Sequence, residues 1–296
     1  MKRKIKLAVF YMILGSIVGL LLLFSLSAPL VTNDSDFSIY NRGWNGCSEL
    51  AVRSYELGTF TPNLEIAEGR EMQVVQKEIT EYALNPEDSS IVFIGPEETF
   101  TEDEIDYVHD FLERGGTVLL ADDFGSGNTL LNGLNTSSRF GTKSVLDHSF
   151  DKRPDFPVVY EKEEHEITEG IFTLLLNNPT HLDPDDGADV FLKTSEAAWI
   201  DVNETGVYDT GEPQDEFPIM SIESYGDGEL ILLSDPSILI NSMLDQHDNR
   251  VFSKKLMDYL AEGKTDIIFD ESHRDMSLVY RIVYVGQYPS RTVSLL

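Results

Sequence analysis

An α/β fold, a three-layer sandwich around a mostly parallel sheet, is what this sequence predicts, on three observations. Near-continuous apolar runs, of the kind found in strands covered on both faces, recur at 89–94, 117–121, 229–233 and 266–269. Segments with apolar residues at helical spacing stand between the first two runs and before the last. The last three runs give way at once to polar, carboxylate-rich sequence, at the strand ends where open α/β sheets place their functional groups.

The chain begins with a basic tip, residues 1–6, carrying Lys2, Arg3, Lys4 and Lys6. A charge-free stretch over 7–27 follows, long enough at about 1.5 Å per residue to span a bilayer. It predicts an uncleaved transmembrane anchor and a single-pass protein of the cell membrane, with the tip inside and the rest outside. A cleaved signal peptide is the alternative; its apolar region is usually shorter, roughly 7–15 residues, and the small-residue stretch at 25–28 runs into Pro29. Net charge is -30, from 52 acidic and 22 basic residues, a surface that repels nucleic acid and anionic lipid heads and fits a salty exterior or cation binding. Cys47 is the single cysteine, which excludes an internal disulfide and any multi-cysteine metal site.

An exterior α/β domain is expected over 36–275. After a polar linker at 33–36 comes a loop over 38–48 with Gly43 and Gly46, which let the backbone approach a neighbour or a ligand, and then a helix over about 47–57. Cys47 reads as a small buried residue, with no histidine or basic residue close by in sequence. The run at 89–94 is a strand closed by Gly95-Pro96. Thr101 and Glu104 form a capping box for a helix that buries Ile105, Val108, Phe111 and Leu112 and stops at Gly115-Gly116. The strand at 117–121 completes a βαβ unit, and Asp122 and Asp123 open its polar end. The glycines that follow resemble a phosphate loop, but two carboxylates and no lysine make a poor anion site.

An edge strand is expected at 157–160, a solvated acidic run at 161–166 and a strand at 189–193. Residues 217–224 and 229–233 read as a hairpin around Asp227-Gly228. Asp248 or Asn249 caps a helix that turns Val251, Phe252, Leu256, Met257 and Leu260 inward and stops at Gly263. The last strand, 266–269, ends in Asp270-Glu271-Ser272-His273. A tail over 276–296 is broken by Arg281, Gly286, Pro289 and Arg291.

An insertion at 199–216 carries a calcium-loop pattern. Asp201, Asn203, Thr205, Asp209 and Glu212 fall at places 1, 3, 5, 9 and 12 of an EF-hand loop, with Gly206 at 6 and the Val207 carbonyl at 7. A structural Ca2+ ion is one reading; a hydrophilic acidic turn is the other. Thr205 is a weak ligand, and Pro213 and Pro218 do not suit the paired helices of an EF-hand. Asn33, Asn135 and Asn203 each begin a glycosylation sequon.

Ser38 to Ser48 read S-x-x-N-x-G-x-x-G-x-S, and Phe100 to Glu104 read F-T-x-x-E, followed by Gly115-Gly116-Thr117. With Ser234-Asp235-Pro236-Ser237, Asn241, Asp248-Asn249 and Asp270-Glu271-Ser272-His273, they resemble the archaeal and bacterial domain of unknown function 4350. The resemblance implies a membrane-anchored relative of the class I glutamine amidotransferase-like fold, found near MoxR-type ATPases, with no established activity. It adds Asn41, Ser48 and Asn241 to Asp122, Asp123, Asp235, Asp270, Glu271 and His273 as a possible strand-end pocket. The amidotransferase chemistry itself has no carrier: no G-x-C-x-G occurs, and Asp122-Asp123 stand where a nucleophile elbow would. Two functions follow: a non-catalytic domain that binds a protein or cell-envelope partner, or a metal-dependent hydrolase using the Asp/Glu/His cluster.

Overall fold

The structure is a computed structural model and describes residues 10–19, 34–54, 71–75, 78–160 and 163–274. The chain divides into two compact units, one of 1–33 with 276–289 and a larger one that holds 34–275. In the first unit the described residues form a helix over 10–19 with side chains mostly exposed. Among the described residues no helix is long and apolar enough to cross a membrane. The expected single-pass placement in the cell membrane is corrected by that finding. The tip at 1–6, the remainder of 7–27 and the tail at 276–296 lie outside the described residues.

The larger unit is built on seven strands: β1 Glu71–Val75, β2 Ser89–Ile94, β3 Thr117–Ala121, β4 Asp189–Lys193, β5 Pro218–Tyr225, β6 Gly228–Leu233 and β7 Asp266–Asp270. Their spatial order is β1-β7-β2-β3-β6-β5-β4. The pairs from β1 across to β6 are parallel, whereas β5 runs antiparallel to both β6 and β4. The sheet is therefore mostly parallel, as the apolar runs predict.

Alternate residues of each strand face opposite layers. On one face Val92, Ile94, Leu119, Ile231 and Leu233 pack with Phe252, Leu256 and Leu260. On the other, Ile91, Phe93, Val118, Leu120 and Leu230 pack with Val108, Phe111 and Leu112 and with Leu130 and Leu131. The covering helices are α1 Ser48–Ser54, α2 Glu102–Glu113, α3 Gly127–Gly133, the single turn α4 Asn241–Leu244, and α5 Asn249–Ala261. In α2 the capping box forms as expected: Thr101 Oγ1 accepts the Glu104 amide, and Glu104 Oε2 accepts the Thr101 amide.

Three local expectations are corrected. The hairpin turn is Gly226-Asp227, one residue earlier than the sequence signal, because Gly228 already pairs with Tyr225. Gly226 has φ +58 and supplies the positive dihedral that a tight hairpin needs. Val251 is 43% exposed: with α5 starting at Asn249, the inward face is Phe252, Leu256, Met257 and Leu260. The expected edge strand at 157–160 shrinks to Val158–Val159, which pairs with Leu174–Leu175 apart from the main sheet. Of the expected helix at 47–57, Ser48–Ser54 is described as helix and 55–57 lie outside the described residues.

Candidate functional site

Because β2, β3, β6 and β7 are parallel neighbours, their carboxyl ends line one edge of the sheet. Gly95, Asp122-Asp123, Ser234-Asp235 and Glu271 through Arg274 follow those ends directly. The sequence-predicted carboxylates do gather on this edge, in three separately bonded groups.

The first group surrounds His273, which is 4% exposed. Its Nδ1 lies 2.9 Å from Asp270 Oδ2, its Nε2 lies 3.5 Å from Glu104 Oε2, and its ring stacks on Phe100 with centroids 4.0 Å apart. Burial alone would lower the His273 pKa, but its hydrogen bonds to Asp270 and Glu104, which accept them, raise it to about 9. Burial likewise works against ionised Glu104, and the bonds from His273 and Thr101 hold it down at about 2. An imidazolium is thus clamped between two carboxylates, and the residue that caps α2 also anchors the end of β7.

The second group ties the loop after Asp34 to the sheet. Glu271, fully buried, accepts the Ser38 hydroxyl on Oε2 and the Ile39 amide on Oε1, both at 2.7 Å. Burial raises its carboxyl to about 7, against the pull of the Arg274 charge. Arg274, itself 2% exposed, donates to the carbonyls of Gly95, Ile94 and Phe37. Asn41, Ser48 and Asn241 belong to the same stitching. Asn241 Nδ2 donates to the carbonyls of Gly43 and Asn41 and to Ser48 Oγ, while its Oδ1 accepts the Glu49 amide at the start of α1. Asn41 Oδ1 accepts the Gly43 amide, and a Cβ on Gly46 would overlap the Asn41 carbonyl. The neighbours that these glycines admit are this chain's own: the Asn41 backbone at Gly46, and the side chains of Asn41 and Asn45 at Gly43. Cys47, fully buried beside them, has its thiol pushed up to about 12 by burial.

The third group holds Asp122, Asp123 and Asp235 at the adjacent ends of β3 and β6. Asp122 is 2% exposed and accepts the amides of Gly125 and Gly127, at 3.0 and 2.7 Å. Asp123, half-buried, accepts the Phe124 amide at 2.6 Å. Burial lifts both carboxyls to about 6. Neither residue has positive φ, so the strained turn of a nucleophile elbow is absent at this place. Asp235 is fully buried; Oδ2 accepts the Asn177 amide at 2.8 Å, and Oδ1 is buried without a hydrogen-bond partner. Burial, with the Asp123 charge adding to it, holds Asp235 well above the usual carboxylate range.

The calcium-like loop lies elsewhere, after the short strand Ala198–Ile200. Asp201 accepts the amides of Thr205 and Gly206, Glu212 accepts those of Asn203 and Asp209, and Thr205 Oγ1 donates to the Val207 carbonyl and to Asp209. The carboxylates at places 1 and 12 therefore turn onto the loop's own backbone. Among the described residues, no three His, Cys, Asp or Glu side chains come together to hold a metal ion.

Two partners escaped sequence reasoning. Arg274 stands one residue beyond the D-E-S-H stretch, and its signal was a lone base in an acidic segment. Asn249, expected as a helix cap and as part of the resemblance, also brackets Leu175, accepting its amide and donating to its carbonyl at 3.0 and 2.8 Å.

These features define an α/β domain with a mostly parallel central sheet and its polar groups collected at the strand ends. The chain belongs to the family described as Domain of unknown function (DUF4350), whose family model matches residues 39–257. A comparison with curated proteins finds no match. Among solved structures, the chain is similar to the "mmIFT52 N-terminal domain", at 18% identity and a TM-score of 0.47 over 58% of this chain and 76% of that one. It is also similar to "Cytoplasmic Protein STM1381 from Salmonella typhimurium LT2", at 13% and 0.43 over 72% and 86%. A third is the β-galactosidase of Bacillus circulans sp. alkalophilus, at 11% and 0.40 over 74% of this chain and 28% of the enzyme. At these values none of them bears on what this chain does.

Proposed function

We propose that this chain is a non-catalytic recognition domain for a protein or cell-envelope partner, on a fold related to the class I glutamine amidotransferases but without their cysteine chemistry. The observation that carries it is the clamp on His273: both ring nitrogens face carboxylates, the ring is stacked, and the side chain is 4% exposed. A general base needs a free nitrogen within reach of substrate, and this histidine has none. Cys47, with its thiol at about 12 and fully buried, offers no thiolate. The resemblance to domain 4350 makes a MoxR-type ATPase system the first partner to try.

The test uses the purified full chain against amide, ester, glycoside and phosphoester reporters, with and without divalent ions. No turnover is expected beyond that of the Asp123→Asn and His273→Gln variants. Turnover that disappears in either variant would instead establish the metal-dependent hydrolase reading.

A second reading concerns Ca2+ at the 201–212 loop. Asp201 and Glu212, each 7% exposed, already sit on the inner side of the turn, as the first and last ligands of such a loop must. Calcium there would be structural, binding on the order of 10⁻⁴ M.

A further inference from the structure

We propose that the loop over 201–212 docks a basic amphipathic segment of a partner protein. The segment's apolar side chains meet Val202, Val207 and Tyr208, and its lysines or arginines meet the carboxylates around them. The inference rests on the recognition reading and names the surface and the chemistry that fits it.

The loop is turned inside out. Asp201 and Glu212, its first and last carboxylates, are each 7% exposed and accept the amides of Asn203, Thr205, Gly206 and Asp209. Because the one Glu212 carboxylate holds both Asn203 and Asp209, it ties the two arms of the loop together, and Val202 and Tyr208 stand next to those ties in the chain. The apolar side chains face water instead: Val202 is 46% exposed, Val207 59% and Tyr208 39%. Single apolar side chains scattered over a surface are ordinary, but these three fall within seven residues of one hydrogen-bonded loop. Tyr208 also sits edge-on to the buried Trp199, with ring centroids 6.1 Å apart, which anchors the loop to the strand before it.

Charge selects the occupant. The sequence has no Lys or Arg from 194 to 249, while Glu204, Asp209, Asp215 and Glu216 stand on the loop or just after it. Lys143, which reaches the loop, is taken up by Glu204. An apolar surface with such a rim repels a second copy of this chain, whose net charge is -30, as it repels anionic lipid. A helix with aliphatic side chains along one face and Lys or Arg beside them matches both features. Apolar contact would then supply the affinity, and the rim charges the orientation and the rate of encounter.

The experiment is an amide NMR titration of the full chain with a synthetic peptide of Leu and Lys at helical spacing. Two counterparts replace its Lys with Glu or its Leu with Ser, and vesicles of neutral phosphatidylcholine stand in for a bilayer. Saturable shifts confined to the amides of 202–209 are expected with the Leu–Lys peptide and none with the Glu form. The Ser form is expected to bind about tenfold more weakly or worse. Val207→Ser, at an exposed side chain, is expected to weaken the Leu–Lys peptide about fivefold or more while the melting temperature stays the same. Shifts spread over the whole acidic surface, no saturable shift, equal binding of the Ser form, an unchanged affinity in Val207→Ser, or a response to the vesicles in place of the peptide would each overturn the inference. Those outcomes leave the recognition reading standing; reporter turnover that disappears in His273→Gln would sink the recognition reading instead.

Discussion

Glu104 Oε2, which completes the capping box of α2, lies 3.5 Å from Nε2 of His273, at the end of β7. One carboxylate thereby serves a helix terminus and a buried ion cluster, and it joins residues that stand far apart in the chain.

Removing His273 is expected to be costly because it strands two buried carboxylates. His273→Ala should destabilise the domain by about 3–5 kcal/mol in urea unfolding, as for a buried pair that loses one member. Unfolding as stable as the native chain would show the cluster to be slack.

The same cluster sets a pH window. His273 is raised from its ordinary 6.5 to about 9, so its contribution is full below pH 6.5 and is lost as pH rises through 9. Glu104 is lowered to about 2, so its contribution is full above its ordinary pH of about 4.5 and is lost as pH falls towards 2. The cluster's support is therefore greatest between about pH 4.5 and 6.5. Thermal unfolding across pH should show the alkaline decline in the native chain and lose it in His273→Gln.

Asn241→Ala removes bonds to Glu49, Gly43, Asn41 and Ser48 together. A loss of about 2–3 kcal/mol is expected, with faster hydrogen exchange at the amides of 43–49. Slow exchange there in the variant would show that the loop holds without Asn241.

Cys47 is expected to resist thiol reagents in the folded chain at pH 8 and to react fully in denaturant. Rapid labelling of the folded chain would reopen nucleophilic chemistry.

Calcium at about ten times a 10⁻⁴ M dissociation constant should stabilise the chain by about 1.4 kcal/mol, roughly 3–5 °C. Asp201→Asn should abolish that increment. A melting temperature indifferent to calcium would leave the loop an acidic turn.

The sequence made the sheet legible where a strand carries its own signal. The runs at 89–94, 117–121 and 229–233 are buried on both faces, so their apolar character survives without context. The capping box was legible for the same reason, since its two residues bond each other. What stayed hidden depends on pairs distant in sequence. No local pattern says that Glu104 meets His273, that Arg274 reaches Gly95, or that Asn249 brackets Leu175. The expected pocket residues Asn41, Ser48 and Asn241 hydrogen-bond one another's segments, and polar residues that recur in a motif serve a backbone crossing as readily as a ligand. The hairpin register slipped by one because Asp227-Gly228 and Gly226-Asp227 present the same turn chemistry, and only pairing with Tyr225 decides between them.

The ionisation of His273 followed by NMR tests the account most directly. An imidazole locked between Asp270 and Glu104 should stay protonated through neutral pH and titrate near 9. A histidine that titrates near 6.5 and exchanges its ring protons freely with water would be available as a base, and the recognition reading would give way to an enzyme.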